Sequence, residues 1–276
     1  MERLDPLLKY SWFPESESLY LSHLHEIIYS TMFYFIIHKF IAPLANRIVF
    51  GKSYTSITND DLKDDFDIHT VSMVQAFVSL YILWPTLSIP LNTSIATYWD
   101  HQSSMVAALS CGYFLWDLTI CIKNYKLYGL EFFAHAIGSL YVMLISLRPC
   151  CQPWIGKYLL YEISTPFVNV NWYIIQLTSG KDMTVKTVVP TPLNIINGLC
   201  LMAVFFVVRI LWGSTANFIL FRQFIKEWDQ VPKYRSIGLI ALNLTLTALN
   251  AVWFHKMVKI ARKLASKSET TTTKKH

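Results

Sequence analysis

Seven long apolar runs constrain the fold of this chain more than any other feature of its sequence. A transmembrane helix needs about 20 consecutive, mostly apolar residues. Runs of that kind lie at residues 24–45, 69–91, 102–122, 130–148, 156–178, 193–221 and 235–256. They lack the alternation of β-strands, and only helices or closed barrels satisfy the backbone in lipid. We therefore predict an all-α, polytopic membrane protein with about seven transmembrane helices.

The composition agrees with this class. Charged residues make up 15% of the chain, whereas soluble domains carry about 25%. The five cysteines show no metal-ligand spacing, and no basic domain stands apart from the apolar runs. The stretch 46–68 is predicted to be a loop with a solvated acidic face, without a closed coordination pattern. We expect neither a metal nor a cofactor, and no nucleic-acid partner.

Basic residues after the last apolar run indicate a cytosolic C-terminus, because cytosolic flanks are rich in lysine and arginine. They are Lys256, Lys259, Arg262, Lys263 and Lys267. Seven crossings then place the N-terminus in the lumen. The same topology puts the sequon Asn92-Thr93-Ser94 in a lumenal loop, so Asn92 is a candidate glycosylation site. His69, His101 and His255 fall at the ends of runs and are interpreted as interfacial.

Four ionisable side chains fall well inside the runs: Asp117, His135, Glu162 and Arg209. Each costs about 2.5–3.5 kcal/mol at mid-helix if it faces lipid, on insertion scales for Asp or Arg. We therefore expect all four to face one another, with Arg209 neutralising one acid and His135 hydrogen-bonding the other. They either line a functional cavity or only hold the helices together.

Helical spacing suggests which residues share a wall of such a cavity. Glu162, Pro166 and Asn169 stand at i, i+4 and i+7, and Pro166 frees a carbonyl one turn earlier. This stretch is either a wall for a polar headgroup or a packing kink satisfied by Ser164 or Thr165. The matching stripes contain His135 and Ser139 on one helix, and Tyr113, Asp117 and Cys121 on another.

Several of these residues belong to blocks that resemble the TLC-domain family, which includes ceramide synthases and small TLC-domain membrane proteins. The blocks are GYFLWDL (112–118), FFAH (132–135), SLY (139–141), EISTPFVN (162–169), ING (196–198) and FFVVR (205–209). The resemblance covers residues 66–262. It implies a helical membrane domain around a lipid-accessible cavity, commonly in the endoplasmic reticulum. The chain then divides into an N-terminal segment with the first helix and the acidic loop (1–65), a TLC domain (66–262) and a basic, disordered tail (263–276).

The sequence departs from the family pattern at two positions. His135 matches the first histidine of a pair found in ceramide synthases and many small TLC proteins, but Ala136 stands in the second position. Gln75 stands where relatives often carry a histidine. A mechanism that needs one imidazole as base and another as acyl acceptor or donor lacks a member, so N-acylation of a sphingoid base is not expected by this route.

The resemblance implies a protein of the endomembrane system that binds a membrane lipid and affects lipid composition. The expected cavity residues are Tyr113, Asp117, His135, Ser139, Glu162, Asn169 and Arg209. One alternative is a lipid acyltransferase, ceramide-synthase-like or acting on lysophospholipids, with acyl-CoA as partner. His135 would be its base, oriented by Asp117 or Glu162. A second alternative is a seven-helix transporter or receptor.

Overall fold

The chain folds into a bundle of membrane-length helices, as described by a computed structural model of residues 5–148 and 150–273, with side chains as far as Lys263. Within this part the secondary structure is entirely helical, which confirms the all-α prediction. The main helices are α1 (Leu24–Phe50), α2 (Asp60–Ser88), α3 (His101–Lys123), α4 (Tyr125–Ser146), α5 (Thr165–Ser179), α6 (Thr191–Lys226) and α7 (Lys233–Thr273). Of the predicted disordered tail (263–276), residues 263–273 continue helix α7, and residues 274–276 lie outside the described part.

Short helical turns complete the description. Leu8–Tyr10 and Leu19–Ser22 precede α1, and Lys52–Thr55 follows it. Three more, Gln152–Trp154, Ile155–Leu159 and Leu160–Ser164, lead into α5. Two of the long helices contain a π-helical turn, Ile37–Ile41 in α1 and Phe206–Leu211 in α6.

Six of the described helices are long and apolar enough to cross a membrane, and the predicted fifth run is broken instead. Pro166 lies in the first turn of α5, where a missing backbone N–H costs little. Glu162 therefore lies in a 3₁₀ turn before α5, and the predicted continuous stripe through Glu162, Pro166 and Asn169 is wrong. The Ser164 hydroxyl donates to the Tyr161 carbonyl at 2.9 Å, so the break is satisfied locally.

Residues 152–179, the three short turns together with α5, are called the broken segment. This segment still passes from one face of the bundle to the other. At the first face, which also carries the segment before α1, Cys151 N–H donates to the carbonyl of Ile95 in the α2–α3 loop at 2.8 Å. At the second face, the hydroxyls of Thr187 and Ser53 lie 2.7 Å apart, and Ser53 belongs to the α1–α2 connection. The described part of the chain thus begins at the first face, and α7 ends at the second.

The acidic stretch before the second run is helical, which corrects the predicted loop. Helix α2 begins at Asp60, where the Asn59 side chain accepts the N–H groups of Asp61 and Leu62 at 3.0 and 3.2 Å. Asp60 and Asp61 are exposed in the first turn, where negative charge is favourable. Asp67 is buried and accepts hydrogen bonds from Asn46 and Tyr54, so the acidic face is not uniformly solvated.

Helix α3 is the centre of the bundle, with 61% of its most apolar window buried. It packs most extensively against α1 and α4. At the α1 contact, the Ser30 hydroxyl donates to the Leu109 carbonyl at 2.7 Å. A Cβ added at Gly112 would lie 2.4 Å from the Ser30 Cβ and 2.7 Å from the Thr31 backbone nitrogen. The backbones of α1 and α3 therefore approach each other closely at this point.

The Gly112→Ala substitution is expected to lower the free energy of unfolding by about 1–3 kcal/mol, because an added methyl group has no space between α1 and α3. The matched control is Gly198→Ala on α6, where an added Cβ meets nothing within 4 Å. That variant is expected to be neutral or stabilised by up to about 1 kcal/mol, since alanine favours helix. Chemical unfolding in detergent micelles measures both. Equal stability of the two variants would contradict the docking of α1 on α3.

Candidate functional site

A cavity of about 110 Å³ lies inside the bundle among α4, α6, α7 and the broken segment. Its polar lining includes His135, Ser139, Ser146, Tyr158, Tyr161, Glu162, Arg209, Asn243, Thr247 and Asn250. Its apolar lining includes Phe114, Met143, Trp154, Ile155, Leu220, Phe224, Leu239 and Leu246. The cavity is therefore amphipathic.

The cavity is elongated along the bundle axis. On α4 its lining extends from His135, halfway along the helix, to Ser146 at the first face. These residues are separated by about 16 Å of helix. The apolar residues Trp154, Phe224 and Leu239 lie near the first face, whereas Arg209 and Asn250 lie deeper. The cavity thus has a polar inner end and a largely apolar outer end.

Arg209 connects three elements at the polar end. Its Nε donates to the Ser164 hydroxyl at 2.8 Å, and its Nη1 donates to the Asn250 amide oxygen at 3.3 Å. Its Nη2 lies 3.4 Å from the Thr165 hydroxyl. The guanidinium carbon also lies 5.7 Å from the centre of the Tyr161 ring. The π-helical turn of α6 carries Arg209 towards the start of α5 and towards α7.

Glu162 lines the same cavity but is not bonded to Arg209. The two groups interact electrostatically, yet no described carboxylate lies within 4.0 Å of the Arg209 nitrogens. The Glu162 carboxylate makes no hydrogen bond to a described residue. An ion pair that merely joins helices is therefore not formed, and this carboxylate remains available inside the cavity.

The predicted hydrogen bond between His135 and a carboxylate is also absent from the described residues. His135 instead contacts aromatic rings edge-on, with centroids 6.5 Å from Phe114 and 5.7 Å from Trp253. It shares the cavity with Glu162 and Arg209 and interacts electrostatically with Arg209. A general base needs a fixed tautomer, which a hydrogen-bond acceptor at the other ring nitrogen provides. His135 has no such acceptor among the described residues.

Three of the predicted cavity residues lie elsewhere. Tyr113, Asp117 and Asn169 do not line this cavity, whereas His135, Ser139, Glu162 and Arg209 do. The break before Pro166 turns Asn169 towards α2, where its amide donates to Ser72 at 3.2 Å and accepts from His69 at 2.7 Å. Asp117 is on α3 and interacts electrostatically with Glu162.

A second polar group therefore lies between α2, α3 and α5. The His69 ring stacks on Trp172 with centroids 3.9 Å apart, so His69 is not interfacial as predicted from the end of its run. Helix α2 begins nine residues before His69, at Asp60, and this extension places the ring inside the bundle. One turn and a half further along, Gln75 accepts a hydrogen bond from the Tyr34 hydroxyl and donates to Ser79 at 2.6 Å.

The polar side of α7 was missed in the sequence. Asn243, Thr247 and Asn250 follow i, i+4 and i+7 spacing, which places them on one face of the helix. Thr247 accepts a hydrogen bond from Asn217 at 2.8 Å, and Asn217 accepts one from Tyr158 at 2.7 Å. The spacing was visible in the sequence, but these residues are uncharged and so carry a weaker signal than an acid or an arginine.

Comparison with known proteins gives a consistent picture. The family model described as the TLC domain matches residues 65–259. The chain is similar to "Topoisomerase I damage affected protein 4" of Saccharomyces cerevisiae, with 53% identity over 96% of this chain and 94% of that protein. It is 29% identical to an uncharacterized TLC domain-containing protein of Schizosaccharomyces pombe, over 88% and 80% of the two chains. The human "TLC domain-containing protein 4" is 32% identical over 58% and 59%. No solved structure matches the chain.

Proposed function

We propose, since this chain belongs to the TLC-domain family, that it binds a membrane lipid in the cavity of the bundle and so acts on membrane lipid composition. The observation that carries the proposal is an amphipathic cavity with an unbonded carboxylate at its inner end, Glu162. Pockets that bind small molecules are mostly apolar, with a few polar groups that fix the orientation of the ligand. This cavity has that arrangement.

The chemistry of the inner end favours a headgroup with both donor and acceptor groups. Glu162 accepts from an amine or hydroxyl, and Arg209 has five N–H donors, of which three contact protein oxygens. A phosphate or carbonyl oxygen of the lipid would take the remaining donors. An acyl chain would lie towards Trp154 and Phe224, among apolar side chains.

We further propose that the protein resides in the endoplasmic reticulum with its first face lumenal. The basic residues Lys256, Lys259, Arg262 and Lys263 lie along α7 at the second face and support a cytosolic second face. Asn92 is exposed in the α2–α3 loop of the first face, as a glycosylated asparagine in the lumen would be.

The test measures lipid that stays bound to the full-length protein purified in a mild detergent. Wild type is expected to retain about one lipid per chain, identified by mass spectrometry. The Glu162→Gln substitution is expected to lower retention about tenfold or more, because it removes a charge-assisted hydrogen bond of about 1.5–3 kcal/mol. Glu131→Gln, a matched change outside the cavity lining where the carboxylate pairs with Lys256 at 2.9 Å, is expected to retain lipid.

A second variant separates the effect of lost space in the cavity from the effect of the lost carboxylate. Ser139→Leu narrows the cavity and is expected to lower retention of every bound lipid, whatever its headgroup. Glu162→Gln is expected to change which headgroups are retained. If wild type carries only the average lipid mixture of the membrane, and both variants carry the same mixture, the proposal is wrong.

The acyltransferase alternative uses the same cavity with His135 as base. It predicts transfer of a labelled acyl group from acyl-CoA to a lipid, lost in His135→Ala while lipid retention persists. The transporter or receptor alternative predicts ligand-dependent flux or signalling. Each of these readouts differs from lipid retention, so the three functions are separable.

A further inference from the structure

A second group of ionisable side chains lies at the first face, apart from the cavity. Asp5, His23 and Glu26 come together where the N-terminal segment meets the start of α1, and their side chains are 0% exposed. His101, the first residue of α3, stands beside them, with its ring centre 6.0 Å from that of His23. Three elements therefore meet at this cluster.

The distances within the cluster suit a small cation. The Nδ1 of His23 is hydrogen-bonded to the Glu26 Oε2 at 2.9 Å and lies 3.4 Å from the Asp5 Oδ2. One ligand atom from each of the three residues falls within 4.8 Å of the others. Tetrahedral zinc, with bonds of about 2.0–2.2 Å, holds its ligand atoms about 3.3–3.6 Å apart. The observed group needs only a small adjustment to reach that geometry.

The charges point the same way. Two carboxylates buried together repel each other, and isolated buried charge is costly unless it is paired or coordinated. Asp5 Oδ2, Glu26 Oε1 and the Nδ1 of His101 are buried atoms that make no hydrogen bond within the described part. With both carboxyls ionised and the imidazoles neutral, the cluster would carry a charge of −2, which one divalent cation balances.

The surrounding contacts hold the cluster in place. The other oxygen of Asp5, Oδ1, accepts the N–H groups of Leu7 and Leu8 at 2.7 and 3.2 Å. His25 donates from Nε2 to the Leu7 carbonyl at 3.0 Å, which fastens the same segment to α1. Hydrogen bonds thus hold Asp5 and the segment around it in place, as the residues around a metal site usually are.

We propose that Asp5, His23 and Glu26 bind one divalent metal ion, zinc, with His101 or a water molecule as the fourth ligand. Mixed imidazole and carboxylate donors in a closed, buried site match zinc, which prefers four ligands. The ion would tie the N-terminal segment to α1 and α3. The four residues show no ligand spacing in the sequence, because gaps of 18 and 75 residues separate Asp5 from His23 and Glu26 from His101.

The test uses the full-length protein, purified in detergent with its affinity tag removed after growth with zinc. Inductively coupled plasma mass spectrometry is expected to find about one zinc per wild-type chain. Asp5→Asn and His23→Gln are expected to lower that content at least tenfold. His101→Gln is expected to lower zinc affinity about 10–100-fold if His101 is the fourth ligand, and to leave it unchanged if water is. His255→Gln, on an exposed position of α7, is the matched control.

A second measurement uses only the wild-type protein, so that it tests the proposal even if the variants do not fold. Wild type treated with a chelator is expected to melt at a lower temperature and to recover its melting temperature when zinc is returned. Folded wild type that contains no zinc and does not bind added zinc would overturn the proposal. The two carboxylates would then share a proton, and chelator would leave the melting temperature unchanged.

Discussion

Arg209→Met is expected to lower the free energy of unfolding by about 3 kcal/mol, because hydrogen bonds to a charged group contribute about 1.5–3 kcal/mol. The substitution removes the 2.8 Å bond to Ser164 and the 3.3 Å bond to Asn250, which join α6 to the start of α5 and to α7. It also removes a positive charge that interacts with Glu162 inside the cavity. Chemical unfolding in detergent micelles measures the change.

Three companion variants show where the effect comes from. Arg209→Lys keeps the charge but loses the planar fork, so an intermediate loss is expected. Glu162→Gln combined with Arg209→Met is expected to cost less than the sum of the single changes, since the two groups interact. Arg222→Met, on an exposed position of the same helix, is expected to change stability by less than about 0.5 kcal/mol. A neutral Arg209→Met would show that the polar end of the cavity is not a structural junction.

Glu227→Ala is expected to lower the free energy of unfolding by about 3–5 kcal/mol, because it leaves buried donors unsatisfied. Glu227 follows the end of α6 and is 8% exposed. Its Oε2 accepts from the Ser94 hydroxyl at 2.7 Å and from the N–H groups of Ile95 and Ala96 at 3.0 and 3.1 Å. One carboxylate thus holds the α2–α3 loop against the α6–α7 connection at the first face.

Two controls accompany this prediction. Glu227→Gln keeps an acceptor oxygen without the charge and is expected to lose about half as much, since neutral hydrogen bonds are roughly half as strong. Asp229→Ala is two residues away and removes only an exposed pair with Lys233 at 3.8 Å, so a change of about 0–1 kcal/mol is expected. Equal unfolding of Glu227→Ala and Asp229→Ala would contradict the role of Glu227 in holding the loop.

The helical bundle itself was predictable from the sequence, because membrane-spanning helices are local objects. Each needs about 20 apolar residues in a row, and the runs at 102–122 and 193–221 became α3 and α6 with small changes at the ends. The π-helical turn in α6, which contains Arg209, was not predicted. The break in the fifth run depends on whether Pro166 starts a helix or kinks one, which the sequence left open.

The polar residues show the same division. Glu162, His135 and Arg209 stood out in the sequence because charge in an apolar run is costly, and the three do share a cavity. Asp117 stood out for the same reason. It does not line that cavity, which Phe114 on the same helix α3 does. The rotation of a helix about its axis follows from packing with its neighbours, and spacing within one helix does not contain it.

By itself the sequence determined the class of this protein, an all-helical membrane bundle, and marked the residues that are expensive in lipid. The physical reason is that the bilayer acts on each run separately, through its length and its charge. Only the tertiary structure decided which of those residues meet. The interruption of the helix before Pro166 separates Asn169 from Glu162. The packing of the N-terminal segment against the start of α1 brings Asp5, His23 and Glu26 together. Such meetings depend on the packing of several elements at once, which no single stretch of sequence records.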